Sequence, residues 1–153
     1  MNRSAWWRAI LLGVLFAMGS IVYADETVDI TLPTNINFSV TDVTQATSGG
    51  TTTISYANAQ LLTDHKLAIS LQANSDLFTP TAGTAIPVGK VSWTGGTPGT
   101  LTNTQFQQVY LSGMDPTTGS VDITWQLAPL TGLTGLRAGT QTLTATWKVE
   151  SSL

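Results

Sequence analysis

Ser120-Val-Asp-Ile-Thr-Trp-Gln-Leu127 alternates apolar and polar residues without a break. Val121, Ile123, Trp125 and Leu127 fall on one parity, and Asp122, Thr124 and Gln126 fall on the other. A period of two is the pattern of a strand with one buried face. Working outward, residues 65–74 (HKLAISLQAN) repeat it, with Leu67, Ile69 and Leu71 set against Ala68, Ser70 and Gln72. Residues 140–149 (TQTLTATWKV) do so again, Leu143, Ala145, Trp147 and Val149 opposing Thr142, Thr144, Thr146 and Lys148. Weaker strands are expected at 28–32, 36–40, 51–57, 88–93 and 106–111. Turn signals separate them at Ser48-Gly49-Gly50, Thr94-Gly95-Gly96, Asp115-Pro116 and Ala138-Gly139. Residues 57–64 (ANAQLLTD) are expected to make one short helical turn, and no other 3.6 period follows the first 24 residues. Short strands at this spacing predict an all-β sandwich of about 7–8 antiparallel strands with Greek-key connections. Its expected core is Leu67, Ile69, Leu71, Val91, Val109, Leu111, Val121, Ile123, Trp125, Leu143, Ala145, Trp147 and Val149.

The first 24 of the 153 residues read differently. Arg3 and Arg8 precede an apolar run from Ala9 to Val22, and Val22-Tyr23-Ala24 suits a signal cleavage site. Residues 1–24 are therefore expected to be a secretory signal peptide and residues 25–153 a single domain. Six basic residues oppose nine acidic ones; with two arginines in the signal, the mature chain carries a formal charge of −5. With so few cations the sequence has no footprint for nucleic acid and no polybasic membrane anchor. Cysteine is absent, which excludes disulfides, thiolate metal sites and thiol nucleophiles.

Chemistry is sparse. The single histidine, His65, lies between Asp64 and the strand that holds Ser70, but adjacent strand residues point to opposite sides and no G-x-S-x-G elbow exists. His65 is expected at an exposed strand edge, and the chain is expected not to be an enzyme. Asp115-Pro-Thr-Thr-Gly-Ser120, with Asp122 beyond, lacks the spaced acids and terminal Glu of an EF-hand and reads as a turn. No metal and no cofactor is expected. Thr140, Thr142, Thr144 and Thr146 form a hydroxyl row, which an ice-binding face would have to repeat on several strands. Trp93, Trp125 and Trp147 are expected in the core, Trp93 nearest the rim; the competing role is a platform for stacking sugars.

Two stretches invite a functional reading. Pro129-Leu-Thr-Gly-Leu-Thr-Gly-Leu-Arg137 repeats leucine at 130, 133 and 136, so Leu130, Leu133 and Leu136 either cap one end of the domain or form a contact loop. At the mature N-terminus, Val28, Ile30 and Leu32 alternate with Asp29 and Thr31. That segment is either the first strand of its own domain or a donor strand completing the sheet of a neighbour. Both uses bury the same three side chains.

From His65 onward the chain resembles secreted bacterial immunoglobulin-like domains related to the WxL surface domain. The resemblance rests on His65-Lys-Leu-Ala-Ile-Ser-Leu, Asp76-Leu-Phe, Ala85-Ile-Pro-Val-Gly-Lys-Val-Ser-Trp93 and Ala138-Gly-Thr-Gln-Thr-Leu-Thr-Ala-Thr-Trp147. It implies an immunoglobulin-like sandwich at a bacterial cell surface. A second resemblance, to cysteine-free fimbrial major subunits of the colonisation-factor type, rests on Thr27-Val-Asp-Ile-Thr-Leu32 and on Ala138-Gly139-Thr140 before the last strand. In that family the N-terminal strand is donated to the next subunit. Together they imply a secreted structural or adhesive protein whose partners are copies of itself or other surface or pilus subunits. The alternative is a monomeric module that binds carbohydrate or cell-wall glycan. Neither reading involves nucleic acid, or a membrane once the signal is cleaved.

Overall fold

The computed structural model describes residues 26–153; the expected export signal lies outside them. Within these residues the chain is all-β, and every paired strand runs antiparallel. Ten strands follow in order: β1 (Thr27–Thr31), β2 (Thr47–Gln60), β3 (Lys66–Ala73), β4 (Thr79–Pro80), β5 (Val91–Thr94), β6 (Gly99–Thr100), β7 (Gln107–Met114), β8 (Gly119–Leu127), β9 (Gln141–Thr142) and β10 (Ala145–Ser152). A single 3-10 turn, Val88–Lys90, leads into β5. One sheet has the order β1-β2-β8-β5-β6, a second the order β10-β3-β7, and β4 with β9 forms a small ribbon.

The alternation in β8 is realised as written, with Ile123, Trp125 and Leu127 buried and Asp122, Thr124 and Gln126 exposed. Those inner residues meet Leu67, Ile69 and Leu71 of β3 in one core shared by the two larger sheets. Its centre is a run of three indoles. Trp93 and Trp125 lie 5.7 Å apart and tilted, and Trp125 meets Trp147 edge-on at 6.4 Å. Aromatic pairs in such geometry add about 0.5–1.5 kcal/mol each beyond the area they bury. The Trp125 indole N–H donates to Thr52 Oγ1 and that of Trp93 to the Thr97 carbonyl, each at 2.7 Å. All three rings are buried. Trp93 is thus a core residue, not a rim residue, and none of the three can stack a sugar.

Several local expectations are corrected. Ser48-Gly49-Gly50 is not a turn but part of the long β2, which shifts register there against β8. Gly49 is needed because Ile36 and Phe38 lie where its side chain would be: a Cβ would sit 2.6 Å from the Phe38 ring. Residues 36–40 form no strand, and 57–64 form no helical turn, since β2 runs on to Gln60. The hydroxyl row at 140–146 is broken, because β9 pairs with β4 while β10 starts anew at Ala145 on β3. Leu111 is 40% exposed, against its expected place in the core. A register shift between Ile69 and Ser70 in the β3–β7 ladder marks a bulge, and one extra residue turns those that follow to the other face. Val121, Leu143, Ala145 and Val149 reach only half-burial.

The two flanks between the sheets differ. At β6 and β7 the Thr97 N–H donates to the Val109 carbonyl at 2.8 Å, joining the sheets through backbone. Gly96 permits this approach: its φ is +53°, and a Cβ would stand 2.3 Å from the Val109 carbonyl oxygen. On the other flank β1 and β10 are the outermost strands, and no backbone hydrogen bond joins them among the described residues.

Candidate functional site at the open flank

Among the described residues β10 pairs with a strand along one side only. Its eight residues pair with β3 without a break, from Ala145 opposite Ala73 to Ser152 opposite Lys66. Its other edge meets no strand among the described residues. The consequence is visible in cross-strand partners that share a face: Ile69 and Ala73 are buried, whereas Val149 and Ala145 opposite them are half-buried. An unpaired edge of this length presents a row of N–H and C=O groups to any extended segment that can satisfy them.

Beside that edge, between β1 and β10, runs a narrow cleft of about 90 Å³. Val28, Leu61, Leu67 and Val149 supply its apolar wall, and Glu26 and Glu150 stand at its rim. Of the expected donor residues, Val28 lines it and Ile30 and Leu32 do not. Val28 and Leu32 are buried, Ile30 is partly buried, and β1 pairs with β2 through Asp29, Ile30 and Thr31. In this chain they complete their own sheet.

One end of the flank is fastened by side chains that sequence reasoning did not connect. Glu26 Oε1 accepts the Leu62 backbone N–H and the Ser151 hydroxyl, both at 2.8 Å, and lies 2.9 Å from His65 Nδ1. His65 Nδ1 is 2.7 Å from Ser151 Oγ. The Ser151 hydroxyl is used on Glu26, so in its contact with Ser151 Oγ the ring nitrogen acts as donor, and Glu26 stands within ion-pair distance of the same nitrogen. A serine relay needs the serine and the acid on opposite ring nitrogens, with one nitrogen free to accept the hydroxyl proton. Here both groups address the same nitrogen, so the trio is a brace and not a relay. Partial burial pushes the Glu26 carboxyl up, but the hydrogen bonds from Leu62 and Ser151 and the His65 charge together hold it below the usual glutamate value. His65 is partly buried in this cluster, not exposed at a strand edge as expected. Its side-chain partners, Glu26 and Ser151, come from the two ends of the described chain, so no local pattern could have revealed them.

The leucine loop lies elsewhere. Leu130 is 4% exposed, and Leu133 and Leu136 pack partly buried against the core. Backbone bonds from Leu130 N–H to the Val43 carbonyl and from Thr84 N–H to the Gly135 carbonyl stitch the loop down. The three leucines therefore pack inward against the core. Asp115 accepts the Asp64 N–H through Oδ1 and donates its own N–H to the His65 carbonyl, which makes it a turn brace. Among the described residues no three His, Cys, Asp or Glu side chains converge as a metal would require. A cleft of about 180 Å³ beside the β4–β9 ribbon is lined by Asn74, Ser75, Thr79, Thr142 and Thr144 with two leucines, and contains no titratable group. The chain matches no protein-family model and no curated protein sequence.

Proposed function

We propose that the chain is a non-catalytic, secreted structural or adhesive subunit of a bacterial surface, assembled by strand addition between copies. The observation that carries this reading is that one edge of β10 meets no strand among the described residues, beside an apolar wall in which Leu61 and Val149 are only partly buried. In an immunoglobulin-like sandwich with Greek-key connections, one sheet has the order A-B-E-D and the other holds C, F and G. In this reading β1, β2, β8 and β5 take the places of A, B, E and D, β3 that of C and β10 that of F, while β7, beside β3, has no counterpart in that order. The strand corresponding to G would lie along the free edge of β10. An alternating segment fits there, because its apolar side chains would cover Ala145 and Val149 while its backbone pairs with β10.

The occupant is the segment 27–32 of a second copy. Val28, Ile30 and Leu32 have the required alternation. β1 is lightly held for its length: it is five residues long, pairs with β2 alone, and shifts register between Thr27 and Asp29. The connection that follows it runs from residue 32 to residue 46, length enough for β1 to reach a neighbour. The sugar-binding alternative loses its platform with all three tryptophans buried. Light scattering on residues 25–153 is expected to show a concentration-dependent series of multimers that Ile30→Asp removes. A monomer at every concentration would reject the reading.

A further inference from the structure

We propose that Glu26, His65 and Ser151 form a clasp that holds β1 on its own sheet and sets how readily the strand leaves it. The inference rests on the strand-addition reading and concerns its control. β1 has little else to fasten its first residues. After Thr27 pairs with Gln60, the ladder is interrupted by a bulge at Asn58, whose φ is +51°. Pairing resumes only at Asp29, where Asn58 Nδ2 donates to the Asp29 carboxylate at 2.8 Å. Glu26 stands just ahead of this weak stretch and reaches two separate elements. Through Leu62 and His65 it is tied to the β2–β3 turn, and through Ser151 to the end of β10.

The two halves of the clasp are unequal. His65 is fixed by backbone: its N–H donates to the Leu62 carbonyl at 3.1 Å, and its carbonyl accepts the Asp115 N–H at 2.9 Å. Asp64 and Asp115 brace the same turn. Ser151 is fixed by the β10–β3 ladder, opposite Leu67. Glu26 belongs to no ladder, so it is the half that moves. Releasing it frees the first turn of β1 and opens the Glu26 end of the cleft in one event. The bonds lie near the surface, where water can replace them, so the clasp opens without exposing the core. Val28 and Leu32 still anchor the rest of β1 in the core, so the clasp governs the first step of release, the loosening of the strand's leading residues.

Hydrogen exchange on residues 25–153, compared with Glu26→Gln and Ser151→Ala, tests this. Loss of a charge-assisted hydrogen bond is expected to speed exchange of the β1 amides about tenfold in both variants, with β3 unchanged. No change in β1, or an equal loss in β1 and β3, would overturn the clasp; the second result would make the trio a general stabiliser. Light scattering on the same samples separates this inference from the one beneath it. If β1 loosens and the chain stays monomeric, the clasp stands and strand addition falls.

Discussion

The flank at β6 and β7 and the flank at β1 and β10 solve the same problem in different ways. Both must cover the side of a two-sheet core. The first does so with backbone: Thr97 bonds to Val109, and Gly96 lets the chains approach. The second relies on side chains, with Glu26 bridging to Ser151 and His65 above a cleft that leaves Val149 half-buried. A backbone seam is permanent, because opening it strands buried polar groups. A side-chain seam between two free strand edges can open and be re-made with another chain. The contrast separates the part of the molecule that holds the fold from the part available for assembly.

The largest expected effect breaks the closed flank. Gly96→Ala forces a Cβ against the Val109 carbonyl at a positive φ, and should cost on the order of 3 kcal/mol in urea unfolding. A variant as stable as the parent would mean that the flank is looser than described. Val149→Thr, at the open flank, should cost only about 1 kcal/mol because the site is half-buried. Its larger consequence should be on assembly, since it puts a hydroxyl where the added strand packs. Multimers that survive Val149→Thr would remove that wall from the interface.

The smallest effect is a pH dependence. Glu26 is partly desolvated, which raises its pKa, but the hydrogen bonds and the His65 charge lower it further. A carboxylate depressed in the folded state contributes stability above its ordinary value. That contribution disappears as pH falls through the lowered one. Glu150 at the same rim is paired with Lys148. Protection of the β1 amides should therefore decline below the ordinary glutamate range while β3 holds. Equal protection of β1 across that range would show that the Glu26 charge does not matter.

Much of the architecture was legible because strand parity is local. Residues 120–127 and 65–74 state their buried faces outright, and both became strands of the shared core. What failed was whatever depended on distant neighbours. Gly49-Gly50 carries a turn signal, but the close approach of Ile36 and Phe38 gives Gly49 a different use. Leu111 has the right parity until a bulge earlier in β7 reverses it. Leu143 follows the alternation of 140–149, yet the chain changes partner between β9 and β10 and leaves it half-buried. At the candidate site, the alternation of Val28, Ile30 and Leu32 was plain and the free edge that gives it meaning was not. Whether a strand has one neighbour or two is a property of the sheet. The clasp was less visible still, as His65 and Ser151 are 86 positions apart.

The most direct test of strand addition uses the absence of cysteine. Chains of residues 25–153 carrying Asp29→Cys are mixed with chains carrying Lys148→Cys under mild oxidation. A disulfide forms only where the two Cα atoms come within about 7 Å in adjacent strands. Strand addition gives mixed dimers that join the two variants in clear excess over dimers of either alone, and their loss when Ile30→Asp is added to the donor. Mixed dimers no more abundant than random collision gives would contradict it, and β10 would then be an edge that the molecule simply leaves unpaired.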